Sequence, residues 1–213
     1  MHLVFSFLIY ITFFIPQNTY SDDTLFKKSL RNFSKGNHYE FKKIKSQIKS
    51  DYILYPYLEL WEFKATIQKA KASDFEVLFN KYKDTIVERQ LLKAWAHELF
   101  KRKQYRKLVD LFQSNHLIDD KSICFYGLSQ KKLDLPINKT KFLNVWLNPN
   151  SIDNTCTPLF KYFFTKKIFD KNDIASRLRL AFNSRNKNNA KFIFDYSKNS
   201  KKYKSLYYSA RKN

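Results

Sequence analysis

Apolar positions recur at helical spacing from Thr24 almost to the end of the chain. Leu25, Phe26, Leu30 and Phe33 form a first stripe, and Gly36 in Lys35-Gly36-Asn37 supplies the stop that ends the helix. Tyr39, Phe41, Ile44 and Ile48 predict a second amphipathic helix. The third enters at Pro56, which has a fixed φ and no amide donor and so is tolerated only in a first turn. Within it Leu54, Tyr57, Leu58, Trp61 and Ala65 share one stripe, and the helix is expected to run to about Lys71.

Further along, Ser73-Asp74 reads as a cap before a short helix carrying Phe75, Val77, Leu78, Phe79 and Tyr82. Val87, Leu91, Leu92, Trp95, Ala96, Leu99 and Phe100 make a stripe wide enough to bury most of the next helix. Its last turn, Lys101-Arg102-Lys103, suits the negative end of a helix dipole. Tyr105, Leu108, Val109, Leu111 and Phe112 form its partner. A short apolar helix at Ile123–Leu128, a linker around Pro136 and a helix through Phe142, Leu143, Val145, Trp146 and Leu147 follow. After a turn-rich Asn148–Thr155 come three more stripes. Leu159, Phe160, Phe163 and Phe164 form the first, and Ile174, Leu178, Leu180, Ala181 and Phe182 the second. The third is Phe192, Ile193, Phe194 and Tyr196, after which residues 201–213 read as a basic tail.

Three segments align with one another on a phenylalanine: Leu30–Ile44 on Phe33, Glu98–Val109 on Phe100 and Leu180–Ile193 on Phe182. In each, an aromatic ends one helix, a basic and amide-rich turn follows, and a new apolar stripe begins. Degenerate helix pairs with no strands between them predict an all-α fold, an α-superhelix or solenoid of tetratricopeptide-like helix-turn-helix pairs. A compact helical bundle is the competing architecture. With 2 glycines and 5 prolines in 213 residues, tight hairpins are poorly supplied, which argues against an all-β fold.

Residues 1–15 are apolar and without charge, too short to span a bilayer comfortably. Thr19 and Ser21 place small residues before Asp22-Asp23, so residues 1–21 read as a secretory signal peptide cut after Ser21, with His2 in place of the usual Lys or Arg. An uncleaved anchor or a buried strand is the alternative. Residues 22–200 are then the helical domain, free of any membrane span once the signal is removed. Export makes Cys124 and Cys156 a candidate disulfide, because a cysteine pair in an oxidising compartment can close a loop. Two unrelated buried thiols are the other possibility.

Composition changes the picture in one respect. The net charge is +21, from 40 Lys plus Arg against 19 Asp plus Glu, and such a surface attracts polyanions. The lysines are spread along the whole chain, however, beside an excess of Asn, Ile, Phe and Tyr that an AT-rich coding sequence also produces. No zinc-ligand spacing, RNP-like segment or glycine-rich phosphate loop marks a nucleic-acid site, and none is expected.

No active site assembles from the sequence. Glu59 and Glu62 lie three apart on one helix face, but carboxylates so placed among lysines read as a solvated face before an acid–base pair. His2, His38, His97 and His116 have no ligand-spaced partners, so no metal or other cofactor is expected. Glycine is too scarce for a nucleophile elbow.

The segment Leu54-Tyr55-Pro56-Tyr57-Leu58-Glu59, followed by Trp61, resembles the LYPYLEY element in the N-terminal superhelical region of soluble lytic murein transglycosylases. Similar segments follow in the same order. They are Glu98–Arg106, Cys124-Phe125-Tyr126, Val145-Trp146-Leu147, Cys156 with Leu159-Phe160, and Arg177-Leu178-Arg179-Leu180-Ala181. The resemblance covers roughly residues 24–200 at low identity. It implies an α-helical U-shaped domain and a disulfide between Cys124 and Cys156. It also implies a periplasmic location and, in the family, cleavage of the MurNAc–GlcNAc bond of peptidoglycan without added water. A separate lysozyme-like domain carries that chemistry on a Glu-Ser motif, and this sequence contains no Glu-Ser pair. The expectation is a periplasmic scaffold contacting peptidoglycan glycan strands and partnering a separately encoded catalytic portion. A secreted basic module for nucleic acid or anionic surfaces is the alternative.

Overall fold

The computed structural model describes residues 18–113, 119–148, 153–185, 187–196 and 200–210. Among the described residues the chain is all-α, with twelve α-helices and no strand. It divides into two compact units, one ending at Ala70 and one beginning at Lys71.

The first unit contains α1 (Asn18–Ser34), α2 (His38–Lys45) and α3 (Tyr55–Thr66), and α3 is continued by a 3-10 turn at Ile67–Lys69. Phe41, Ile44, Ile48 and Leu58 form its buried core, covered by the half-buried Leu25, Phe26, Phe33, Tyr52, Tyr55 and Trp61. Trp61 is the hub, its ring lying 5.3 Å from Phe26, 5.7 Å from Phe33 and 6.4 Å from Tyr57. Pro56 occupies the first turn of α3, as its chemistry requires. The buried residues of α3 are Leu58, Leu60 and Phe63. The stripe predicted through Leu54, Tyr57 and Ala65 is only half-buried, because α3 is packed on more than one side. The Tyr52 hydroxyl donates to the Asp23 carboxylate, and burial together with that carboxylate pushes the phenol up to about 12.

The second unit comprises α4 (Ala72–Lys81), α5 (Ile86–Lys101), α6 (Tyr105–Gln113), α7 (Asp120–Lys132), α8 (Thr140–Trp146), α9 (Thr157–Thr165), α10 (Lys171–Asn183), α11 (Lys187–Tyr196) and α12 (Ser200–Ala210). Most of the dense packing runs between neighbours in sequence, α4 with α5, α5 with α6, α6 with α7, α10 with α11 and α11 with α12, and α5 also packs on α7. That order is the one an α-solenoid shows. α5 is buried as predicted, through Val87, Leu91, Leu92, Trp95, Ala96 and Leu99. It also buries Glu98, whose carboxylate accepts from Arg102 Nε at 2.8 Å.

The repeated phenylalanine has a structural meaning. In each aligned segment the residue three places after it has a positive φ: Gly36 at 72°, Lys103 at 59° and Arg185 at 52°. Its amide returns to the phenylalanine carbonyl, at 2.9 Å for Phe33, 3.0 Å for Phe100 and 3.1 Å for Phe182. This is the left-handed C-cap that satisfies the last carbonyls of a helix. A fourth copy, not recognised in the sequence, uses Phe164 and Lys167 (φ 54°, 3.2 Å). In three of the four, the phenylalanine also meets an aromatic five places on: Phe33 with His38 at 6.0 Å, Phe100 with Tyr105 at 5.7 Å and Phe164 with Phe169 at 6.0 Å.

Several boundaries differ from the sequence reading. Asp74 does not cap α4 from before the helix but from inside its first turn, accepting the Lys71 amide at 2.7 Å. The helix expected at Ile123–Leu128 extends over Asp120–Lys132, capped by the Asp119 side chain on the Ser122 amide. Gly127 allows this extension to pack, since a Cβ there would lie 2.7 Å from both Leu159 and Phe142. Residues 200–210 form α12, whose Tyr207 is buried with Ala181 and Ala190. The lysines that marked a tail occupy its outer face. The apolar segment 1–15 and His116 lie outside the described residues, while the cut expected after Ser21 falls in the first turns of α1.

Candidate functional site

Cys124 and Cys156 are fully buried and bonded to each other, with Cα atoms 5.1 Å apart. Cys124 is in the second turn of α7, and Cys156 ends a 3-10 turn (Asn154–Cys156) that leads into α9. The bond therefore fixes the entry of α9 against α7. On the chain-entropy model a bridge of this span is worth about 3–4 kcal/mol.

Next to that corner α8 and α10 are latched together. The indole of Trp146, at the C-terminus of α8, donates to the carbonyl oxygen of Asp173 at 2.9 Å. Arg177, one turn further along α10, donates back from Nη1 to the carbonyl oxygens of Trp146 at 2.6 Å and Asn148 at 2.5 Å. Its guanidinium lies 5.5 Å from the Trp146 ring centroid, and burial pushes its pKa down to about 10. A cation placed there meets carbonyls that the helix end leaves unpaired. Lys139 closes the other side, reaching Asp170 at 2.7 Å and Asp173 at 2.8 Å. The Lys139 ammonium and backbone amides hold Asp170 at about 2.

A polar cleft of about 340 Å³ adjoins the disulfide, lined by Asn154 and Thr157 on one side and by Asn188, Lys191, Asp195 and Tyr196 of α11 on the other. Tyr196 is packed 4.7 Å from Phe192 and beneath the Lys161 ammonium at 5.2 Å. Amides, a hydroxyl, an ammonium and a carboxylate along one aromatic edge give both donors and acceptors for a hydroxyl-rich ligand. A second, apolar cleft of about 330 Å³ lies between α10 and α12. A third, of about 260 Å³, lies in the first unit beside His38, Tyr39, Lys42 and Glu62.

The residues singled out in the sequence fall in two places. Leu54, Tyr55, Pro56, Tyr57, Leu58 and Trp61 all belong to the packing of α3 in the first unit. Glu59 is half-buried on the same helix. Glu62 is held by Lys45 at 2.5 Å and by Lys42 at 3.6 Å, which ties α2 to α3. A carboxylate bound by two ammonium groups in this way acts as a lock between α2 and α3. His97 lies edge-on to Phe125 at 5.0 Å, and its Nε2 is buried without a hydrogen-bond partner. Among the described residues no cluster of three or more His, Cys, Asp or Glu could hold a metal, and no helix is long and apolar enough to cross a membrane.

Sequence reasoning missed the latch. Nothing local in the run Arg177-Leu178-Arg179-Leu180 marks Arg177 as the buried member. Its pairing with Trp146 is a tertiary event between residues 31 apart. Comparison of the chain with known protein families, curated proteins and solved structures found no match.

Proposed function

We propose that this chain is an exported, peptidoglycan-associated helical scaffold that binds glycan strands without cleaving them. On this reading residues 1–21 are removed on export and the mature protein lies in the periplasm. It corresponds to the N-terminal part of the U-shaped domain of the soluble lytic murein transglycosylases it resembles, and a separately encoded catalytic portion is its natural partner. No catalytic residue and no cofactor is assigned.

The observation that carries the reading is the buried Cys124–Cys156 bond with the polar cleft beside it. A buried disulfide suits an oxidising compartment. The cleft offers Asn154, Asn188, Asp195 and Tyr196, side chains that recognise sugar hydroxyls through paired donors and acceptors. Co-sedimentation with purified sacculi tests it. The wild-type chain is expected in the pellet, and the double variant Asn154→Ala, Asp195→Ala in the supernatant. Equal sedimentation of the two would remove the cleft from the account.

A second reading, a secreted basic module for nucleic acid or anionic surfaces, is favoured by α12, where Lys201, Lys202 and Lys204 are exposed in succession. Binding by counterion release falls steeply with salt, whereas sugar recognition depends on the glycan.

A further inference from the structure

α10 and α12 both pack on α11, and between them lies the apolar cleft of about 330 Å³. Leu178 and Phe182, four apart on α10, form one wall, and Leu206 and Tyr207 of α12 form the other. Phe182 is 40% exposed and Leu206 58%, so both walls of the cleft present apolar surface to solvent. Leu178 and Phe182, four apart, make a ridge on α10, and a ridge facing the apolar Leu206 and Tyr207 of α12 across a cleft is a surface into which a further helix packs. The edges of the cleft are cationic. Arg179 lines it, and Lys202 lies one turn before Leu206 on α12; both are exposed. Among the described residues, none of those lining it is acidic.

We propose that this cleft is a docking site for an amphipathic helix of a partner protein, apolar on the face it buries and rich in Glu or Asp on the faces beside it. Cationic edges select acidic flanks, and the chain's net charge of +21 opposes occupation by a second copy. The apolar wall sets the affinity and the basic rim sets the choice of partner. The site stands apart from the polar cleft assigned to glycan, so either can fail alone.

The test uses the whole exported chain and a fluorescent designed helix of about 18 residues, five turns, with Leu at i, i+3, i+4 and i+7 spacing and Glu elsewhere. Anisotropy is expected to show saturable binding. Leu206→Glu and Phe182→Glu should each weaken it by about tenfold or more, as burial of one large apolar side chain implies. Arg179→Glu with Lys202→Glu should shift preference to the same helix carrying Lys for Glu. These positions are exposed, and circular dichroism verifies that each variant is folded. The proposal is overturned if a scrambled peptide of the same composition binds as tightly, or if Leu206→Glu changes nothing. It is also overturned if the chain alone is a dimer that Leu206→Glu dissociates, or if the apolar cleft instead takes up anionic phospholipid vesicles in a Leu206-dependent way.

Discussion

The carbonyl oxygen of Phe100 accepts the amide of Lys103 at 3.0 Å, and Lys103 does so with a φ of 59°, in the left-handed region. The equivalent turn after Phe33 uses Gly36, which adopts that conformation at no steric cost. The same cap is therefore built once with the residue it prefers and three times, at Lys103, Lys167 and Arg185, with one that is strained.

Replacing Lys103 by glycine is expected to stabilise the chain by about 1 kcal/mol, and Lys167→Gly similarly. Gly36→Ala should destabilise it by about the same amount, although nothing lies within 4 Å of a Cβ there, because the cost is in the backbone. Thermal melts of the three variants check the sign at each position.

The latch between α8 and α10 makes a second prediction. Arg177→Met keeps the volume but leaves the Trp146 and Asn148 carbonyl oxygens without their charged donor, and should cost about 2–3 kcal/mol. Arg177→Lys keeps the charge without the planar fork and should fall between the two. Chemical denaturation gives both values.

Gly127 is constrained by space and not by φ. A methyl group there meets Leu159 and Phe142 at 2.7 Å, so Gly127→Ala must push α8 or α9 outward and should cost about 1–3 kcal/mol. Ordinarily glycine to alanine within a helix stabilises by about 1 kcal/mol, so the sign of the change separates a packing cost from the usual propensity gain.

His97 should give the fold a mild acid sensitivity. Burial, then the Lys121 ammonium, holds its pKa below the ordinary 6.5, with Lys93 acting the same way and Asp119 and Asp153 opposing. A depressed folded-state pKa means that the stability is fully present above 6.5 and is lost as pH falls through the folded value. His97→Phe, which preserves the edge contact with Phe125, should flatten stability between about pH 7 and 5. Denaturant midpoints at several pH values test this.

Much of the fold was legible in the sequence because helix signals are local. The Pro56 entry, the wide stripe of α5, the stop at Gly36 and the shared phenylalanine turns each depend on residues within a few positions of one another. What escaped depends on tertiary contacts. Val77 is 68% exposed and Tyr39 78%, although both sit on apolar stripes, because a stripe does not say how much of itself a neighbour covers. Arg177 and Glu98 are buried against their type, each made tolerable by a partner: the Trp146 and Asn148 carbonyls for one, the Arg102 guanidinium one turn away for the other. The polar cleft draws Asn154 and Asp195 from the 3-10 turn before α9 and from α11, segments about forty positions apart, which no spacing within either segment discloses.

The measurement that tests the central claim most directly is a salt titration of binding to purified sacculi, with double-stranded DNA measured in parallel. If the chain recognises glycan, sacculus binding should level off at a residual affinity above about 0.3 M salt, where exposed charges are screened within a few ångströms. Soluble glycan strands should compete for that residue, while DNA binding disappears. If binding to both polymers instead falls along the same line of log affinity against log salt, with no residue that glycan strands displace, the chain is a basic surface and not a glycan scaffold.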